Sequence, residues 1–442
     1  ATSELIVGGA DATGFSEITL GGLTHEGQIF VNAATTVRDD LVVLLGDRSD
    51  SELAGLVINE AFTVQRQPNK TDAGGTLTID LGGTNNRGGL TAKGVVTADH
   101  LLLLGDGDFV LTADNNINQL SADLNGSLTL QNAKALTVDT VATDYTNAVA
   151  ITESSGSVDF GSGSLTESGI ALTSNEQLEL TVAEGDLIQQ QDITIADSGA
   201  ALTGLVSLRA TTGAVDQQSG IINADTLYLE GGSGDSSLAN ANQVNRLAGD
   251  FLTSSAAGLE YVNAISLVID NIAISRAVAD TADSDVLGEP SVSTITQSGL
   301  QAAGGLVDIE LQDVNGQANL SQLTGASAAP IEANELSVYL PDGNLLLEAA
   351  SNQIDELAAV LDSDGRDLRL RNAGDLLIGA FNDQAGTARS GITLASSVGG
   401  EAGYLRIEVI AADADLIVGG DVILNDSSGD SFLADVDLRA GG

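Results

Sequence analysis

Residues 94–120 read GVVTADHLLLLGDGDFVLTADNNINQL, residues 220–247 read GIINADTLYLEGGSGDSSLANANQVNRL, and residues 329–357 read APIEANELSVYLPDGNLLLEAASNQIDEL. The three stretches are one module. In each, an aliphatic residue is followed two positions on by Ala: Val96/Ala98, Ile222/Ala224 and Ile331/Ala333. Asp99, Asp225 and Asn334 come next. Further along stands an aliphatic-x-x-Leu: Ile117/Leu120, Val244/Leu247 and Ile354/Leu357. Beyond it each copy runs into an Asn-Ala pair among strand-like residues, LTLQNAKALTV, LEYVNAISLVI and LRLRNAGDLLI. A unit that returns at this scale marks a repeat architecture, in which stacked neighbours bury what one copy cannot bury alone.

Outward from the module the chain alternates with period two. Thr76-Leu77-Thr78-Ile79-Asp80-Leu81, Gln177-Leu178-Glu179-Leu180-Thr181-Val182 and Leu306-Val307-Asp308-Ile309-Glu310-Leu311 place aliphatics on one face and polar residues on the other. Gly, Asn, Asp and Ser separate these runs, as turns require. The nearest approach to a helical period is NQIDELAAVL over 352–361; its counterpart NINQLSADL flows into LTLQNA, so both read as strand and turn.

Fold class is therefore all-β. A sandwich fits the turn spacing, but not a module returning near 94, 220 and 329. A solenoid does, with a coil of about twenty residues as one rung. The expectation is a right-handed parallel β-helix (β-solenoid) of roughly twenty rungs, one elongated body over 1–442, on the order of 100 Å long at about 4.8 Å per rung. Two polar stretches, 66–75 (RQPNKTDAGG) and 276–291 (RAVADTADSDVLGEPS), read as projecting loops.

Composition agrees. Hydrophobic residues make up 43% of 442, yet only 3% are aromatic, so the core is aliphatic. There are 52 glycines and four prolines, and neither Cys nor Met. The chain opens on Ala1, as expected of a processed product or of an excerpt. The net charge of −46, from 62 acids and 16 bases, repels nucleic acid and anionic lipid and attracts cations. No apolar run approaches the length of a membrane span.

The Asn-Ala strand motif, the aliphatic-x-x-Leu before it and the opening Gly220-Ile221-Ile222-Asn223-Ala224-Asp225 resemble the repeat region of filamentous haemagglutinin-like exoproteins, large secreted adhesins of Gram-negative bacteria. The likeness is closest over 220–272 and 94–141 and extends over 90–382. It implies a right-handed parallel β-helix, export to the cell surface, and a role as stalk, adhesin or matrix fibre. That family's amino-terminal secretion domain, with its Asn-Pro-rich motif, has no match here; Pro68, Pro290, Pro330 and Pro341 stand in other contexts. The resemblance is to the shaft.

Candidate chemistry is sparse. His25 and His100 are the only histidines, so zinc of the usual ligand type is not expected. Gly234-Asp235-Ser236 and Gly429-Asp430-Ser431 look like an esterase start, but no base is near. Polysaccharide cleavage needs paired carboxylates; Asp39-Asp40 beside Arg38 is the one adjacent pair near a base. No enzymatic activity and no required cofactor are expected. Calcium is the favoured ion, on Asp362, Asp364 and Asp367 around Gly365, with further acids at Asp106, Asp108 and Asp280–Asp285. Finally, ELIVGGA at 4–10 matches DLIVGGD at 415–421. Exposed sheet edges invite pairing, so Leu5, Ile6, Val7 and Leu416, Ile417, Val418 are expected to join copies head to tail. The leading expectation is an extracellular structural shaft. The alternative is an adhesive module whose projecting loops bind a glycan or receptor.

Overall fold

The computed structural model describes residues 18–22, 27–45, 55–65, 75–82, 89–150, 159–173, 175–195, 202–251, 257–278, 291–312, 317–325, 328–363, 365–396, 403–426 and 435–441. Among these there is no α-helix, and the chain is all-β. It divides into two compact units, one of Ala1–Ala196 with Ser275–Ser293, the other of Asp197–Ile274 with Thr294–Gly442.

In the first unit, strand Val96–Asp106 lies parallel to strand Phe109–Asn125, with Leu101 opposite Leu120 and Leu103 opposite Ala122. Phe109–Asn125 pairs onward, again in parallel, with Leu128–Asn132, Leu136–Val138 and Ile170–Leu172. Parallel neighbours cannot be joined by a tight hairpin, so the chain must cross over. Here the crossover is itself strand, paired into the neighbouring ladders, and the chain winds in coils.

Like side chains stack inward along the coils. Leu77, Leu101, Leu120 and Val138 form one column; Leu90, Phe109, Leu128 and Leu178 form another. The second unit repeats the device with Leu267, Leu320, Leu345, Leu368 and Leu405, and with Leu259, Val307, Leu336 and Leu357. All are essentially inaccessible to solvent. Each fully buried side chain contributes about 1.5–3 kcal/mol.

The aliphatic-x-x-Leu motif is a corner. Ile354 and Leu357 both point inward although three residues apart, because strand Gln353–Leu361 bends between them; Ile117/Leu120 and Val244/Leu247 do the same. That bend is what mimics a helical period in NQIDELAAVL.

Three two-stranded sheets stand apart from the coils: Thr140–Ala150 with Asp159–Ser168, Asn271–Val278 with Ser291–Ser298, and Ala380–Asn382 with Ala388–Ser390. The first and third are antiparallel. Each leaves the coil just past the Asn-Ala motif and re-enters at a Ser-Gly pair, Ser168-Gly169, Ser298-Gly299 or Ser390-Gly391. The glycines share a positive φ of 73°, 67° and 65°, and a Cβ on any of them would overlap the next coil's backbone carbonyl, at Asp192, Pro330 and Asp421.

Of the two expected loops, residues 66–74 and 279–290 lie outside the described residues. Arg276–Val278 and Ser291 are strand, part of the second hairpin.

Candidate functional site

The Asn of each Asn-Ala pair is fully buried. Asn132 Oδ1 accepts from Ile117 N at 2.9 Å, and its Nδ2 donates to Ile117 O at 2.9 Å and to Lys134 O at 2.7 Å. Asn263 treats Val244 in the same way (3.0 and 2.9 Å), and Asn372 treats Ile354 so (2.9 and 2.9 Å). The side-chain amide presents one acceptor and one donor pair, as a strand's peptide group does, and so closes the ladder across the corner.

A second set of buried asparagines, missing from the motif as first read, stands one coil earlier: Asn115, Asn242 and Asn352. Their Oδ1 atoms accept from the module's opening aliphatics, Val96 N (2.8 Å), Ile222 N (2.7 Å) and Ile331 N (2.9 Å). Asn115 lies opposite Asn132, and Asn242 opposite Asn263. The Asn-Ala pairs stand too far apart to ladder with one another on adjacent coils; the partner of Asn132 and of Asn263 is instead an Asn two residues before the corner aliphatic, in Asn115-x-Ile117 and Asn242-x-Val244, and the same spacing recurs in Asn352-x-Ile354. That recurrence was available in the sequence. Gln217 and Gln322 extend the stack in the second unit, Gln217 Nε2 donating to Asn242 Oδ1 at 2.8 Å and Gln322 Nε2 to Asn352 Oδ1 at 2.6 Å.

The acid-rich turns bind the next coil's backbone. Asp40 Oδ1 accepts from Thr76 N (2.8 Å), Asp108 Oδ1 from Ser127 N (2.9 Å), Asp235 Oδ1 from Gly258 N (2.8 Å) and Asp375 Oδ1 from Asp415 N (2.8 Å). Asp367, one of the expected calcium ligands, does the same: its Oδ1 accepts from Tyr404 N (3.1 Å) and its Oδ2 from Arg369 Nη2 (2.7 Å). Arg366 in that turn pairs with Asp342 at 2.5 Å. Asp362 contributes its backbone N–H to Leu340 O (2.9 Å), and Asp364 lies outside the described residues. Among the described residues no cluster of three or more metal-ligating side chains is present.

Ser236 is fully buried and its Oγ accepts from Val215 N, so it is a ladder residue; Ser431 lies outside the described residues. His100 Nδ1 faces Thr76 Oγ1 at 3.4 Å, and its Nε2 lies 3.8 Å from Asp99.

Of the residues expected to join copies, Leu5, Ile6 and Val7 lie outside the described residues. Leu416–Val418 is a strand of the last described coil, together with Val422–Asp426 and Asp435–Arg439. Among the described residues each pairs along one edge only, with Leu376–Ile378, Ile392–Ser396 and Tyr404–Val409. Leu416 and Val418 continue the inward column of Leu376 and Ile378; Val436 and Leu438 continue that of Leu405 and Ile407. Val418, Val436 and Leu438 are 51%, 47% and 41% exposed, so the columns end open. Ile417, at 52%, faces outward beside Leu377.

A groove of about 880 Å³ crosses four successive coils of the second unit. Gly325, Ala328 and Ala350 line it together with Glu348, Arg371, Arg406 and Glu408. Glu408 Oε2 accepts a hydrogen bond from Arg406 Nη2 (3.0 Å) and is ion-paired with Arg371, whose Nε lies 3.2 Å away. The two Glu and two Arg side chains of its lining cancel in formal charge.

No protein-family model, no curated protein and no solved structure matches the chain.

Proposed function

We propose that the chain is a non-enzymatic structural protein of the bacterial cell surface, the shaft of an adhesin or a subunit of a head-to-tail filament, and that its coils wind as a right-handed parallel β-helix of about twenty rungs. The observation that carries this reading is the stacking: each coil continues the aliphatic columns of the one before, and at Leu416–Val418, Val422–Asp426 and Asp435–Arg439 those columns stand open to a further coil. Open strand edges and an exposed core end favour continuation. The likeness of the Asn-Ala module to filamentous haemagglutinin-like repeats supports the surface location. Negative-stain microscopy and light scattering test the reading together. Filaments, or assembly that rises with concentration, are expected; globular particles that stay monomeric at high concentration overturn it.

The second reading, an adhesive module for a glycan or receptor, is favoured by the neutral groove between Glu348, Arg371, Arg406 and Glu408. A chain of net charge −46 repels polyanions, so the ligand on this reading is a neutral, hydroxyl-rich polymer. Binding of a neutral glucan that disappears in Arg371→Ala/Arg406→Ala supports it.

A further inference from the structure

The third hairpin covers a face of coils unlike the face beneath the second. Under the second, Ile272 and Ile274 with Ile295 pack on Tyr228, Ala248 and Leu205, an apolar seal. Under the third, the outward column runs Glu260, Asp308, Ser337, adjacent in register. Asp308 is 7% exposed and Ser337 fully buried. From the hairpin side come Asp383, 5% exposed, and Arg389, which donates from Nε to Asp383 Oδ2 at 2.9 Å and lies 5.4 Å over the Tyr339 ring. Gln384, in the hairpin turn, sits against Gly258 of the coil.

This polar packing is incomplete. Asp308 Oδ1, Ser337 Oγ and Gln384 Nε2 are all buried without a hydrogen-bond partner. Such groups destabilise a closed arrangement unless they are kept neutral or released to water. The third hairpin is also short, Ala380–Ser390, with strands of three residues each.

We propose that the Ala380–Ser390 hairpin is a pH-sensitive clasp, closed over Glu260, Asp308 and Ser337 in acid and released as Asp308 ionises. Closed, a neutral Asp308 needs no counter-charge. Ionised, it meets Asp383 on the hairpin and Glu260 on the adjacent coil, both like charges. Among the described residues the cation facing it is Arg389, already held by Asp383; around Tyr339, Glu310 and Asp362 add further negative charge. Burial pushes the Asp308 carboxyl up to about 6; the nearby Ser337 hydroxyl opposes this, though its geometry falls short of a hydrogen bond, Asp383 adds to it, Arg389 opposes it and Glu260 adds to it. The closed form therefore binds a proton that an open, solvated Asp308 loses near pH 4. By linkage, closure is most favourable below that value and weakens as pH rises to about 6.

Hydrogen exchange with mass spectrometry on the intact chain, corrected for intrinsic rates, tests this. Opening of the 380–390 segment is expected to rise between pH 4 and pH 7 by up to about a hundredfold. The segment carrying Ile272 and Ile274 serves as the apolar control and stays flat. Asp308→Asn keeps the shape and removes the titration, so its hairpin opening is independent of pH. A wild-type hairpin whose opening does not change with pH, or falls, overturns the proposal; so does a rise that persists unchanged in Asp308→Asn. The wild-type profile stands as a test even if the variant folds poorly.

Discussion

Asn132 holds both backbone polar groups of Ile117: Oδ1 accepts from Ile117 N and Nδ2 donates to Ile117 O, each at 2.9 Å. The same clamp joins Asn263 to Val244 and Asn372 to Ile354, so one side chain per module replaces the ladder bonds that a bent strand cannot make.

Replacing Asn263 by Ala leaves Val244 N–H and C=O buried and unpaired. The expected cost is about 2–4 kcal/mol, since each orphaned buried group costs about 1–3 kcal/mol. Asn263→Asp keeps the acceptor but loses the donors and buries a charge, so it destabilises at least as much. Urea unfolding at constant m-value measures both.

Gly299 carries φ +67°, and a Cβ there would overlap Pro330 O. Gly299→Ala is expected to destabilise by more than about 1 kcal/mol, through both the left-handed backbone and the clash. Gly374→Ala, with open space and ordinary φ, is the matched control and is near neutral in thermal melts.

Asp225 and Asp308 have opposite pH signatures. Burial pushes Asp225 up, but hydrogen bonds from Asn245 (3.0 Å), Arg246 (2.6 Å) and Thr226 (3.0 Å) outweigh it and hold the carboxyl below its usual value. Its contribution is present above about pH 4 and is lost as pH falls below that. Arg246 is 44% exposed, so Arg246→Gln is expected to cost less than about 1 kcal/mol at pH 7, and less at pH 3 than at pH 7. Equilibrium unfolding at the two pH values checks the sign.

Asp367 separates a backbone cap from a cation ligand. Asp367→Asn keeps an oxygen for Tyr404 N but removes the charge. On the calcium reading, calcium raises the wild-type melting temperature and this variant blunts the rise. A wild-type melt at low salt that is unchanged by chelator leaves only the cap.

Leu438→Asp places a charge on the open end of the core, at a position already 41% exposed. Assembly is expected to fall at least tenfold with little change in melting temperature, as read by light scattering at several concentrations.

Much of this architecture was legible. Alternation in QLELTV and LVDIEL marks strands, because period two needs only near neighbours to be interpreted. The repeat announced that coils stack. The corner was visible as aliphatic-x-x-Leu, although its three-residue step looks helical until the bend is known. Asn115, Asn242 and Asn352 were harder, because an asparagine in DNNIN, ANQV or SNQI reads as turn chemistry by default. Asp308 was invisible as a buried acid: in LVDIEL it holds the same outward position as exposed polar residues elsewhere, and only a hairpin inserted some seventy residues downstream covers it.

Composition and alternation alone thus decide that the chain is β throughout, that its core is aliphatic and that its surface is acidic, since each follows from residues close in sequence. Which asparagines meet, which aspartates bind the next coil's backbone rather than solvent, and which acid lies beneath a hairpin belong to the tertiary structure. Those properties depend on groups brought together one or more coils apart, where burial and partner, rather than residue type, determine the energy of a polar atom.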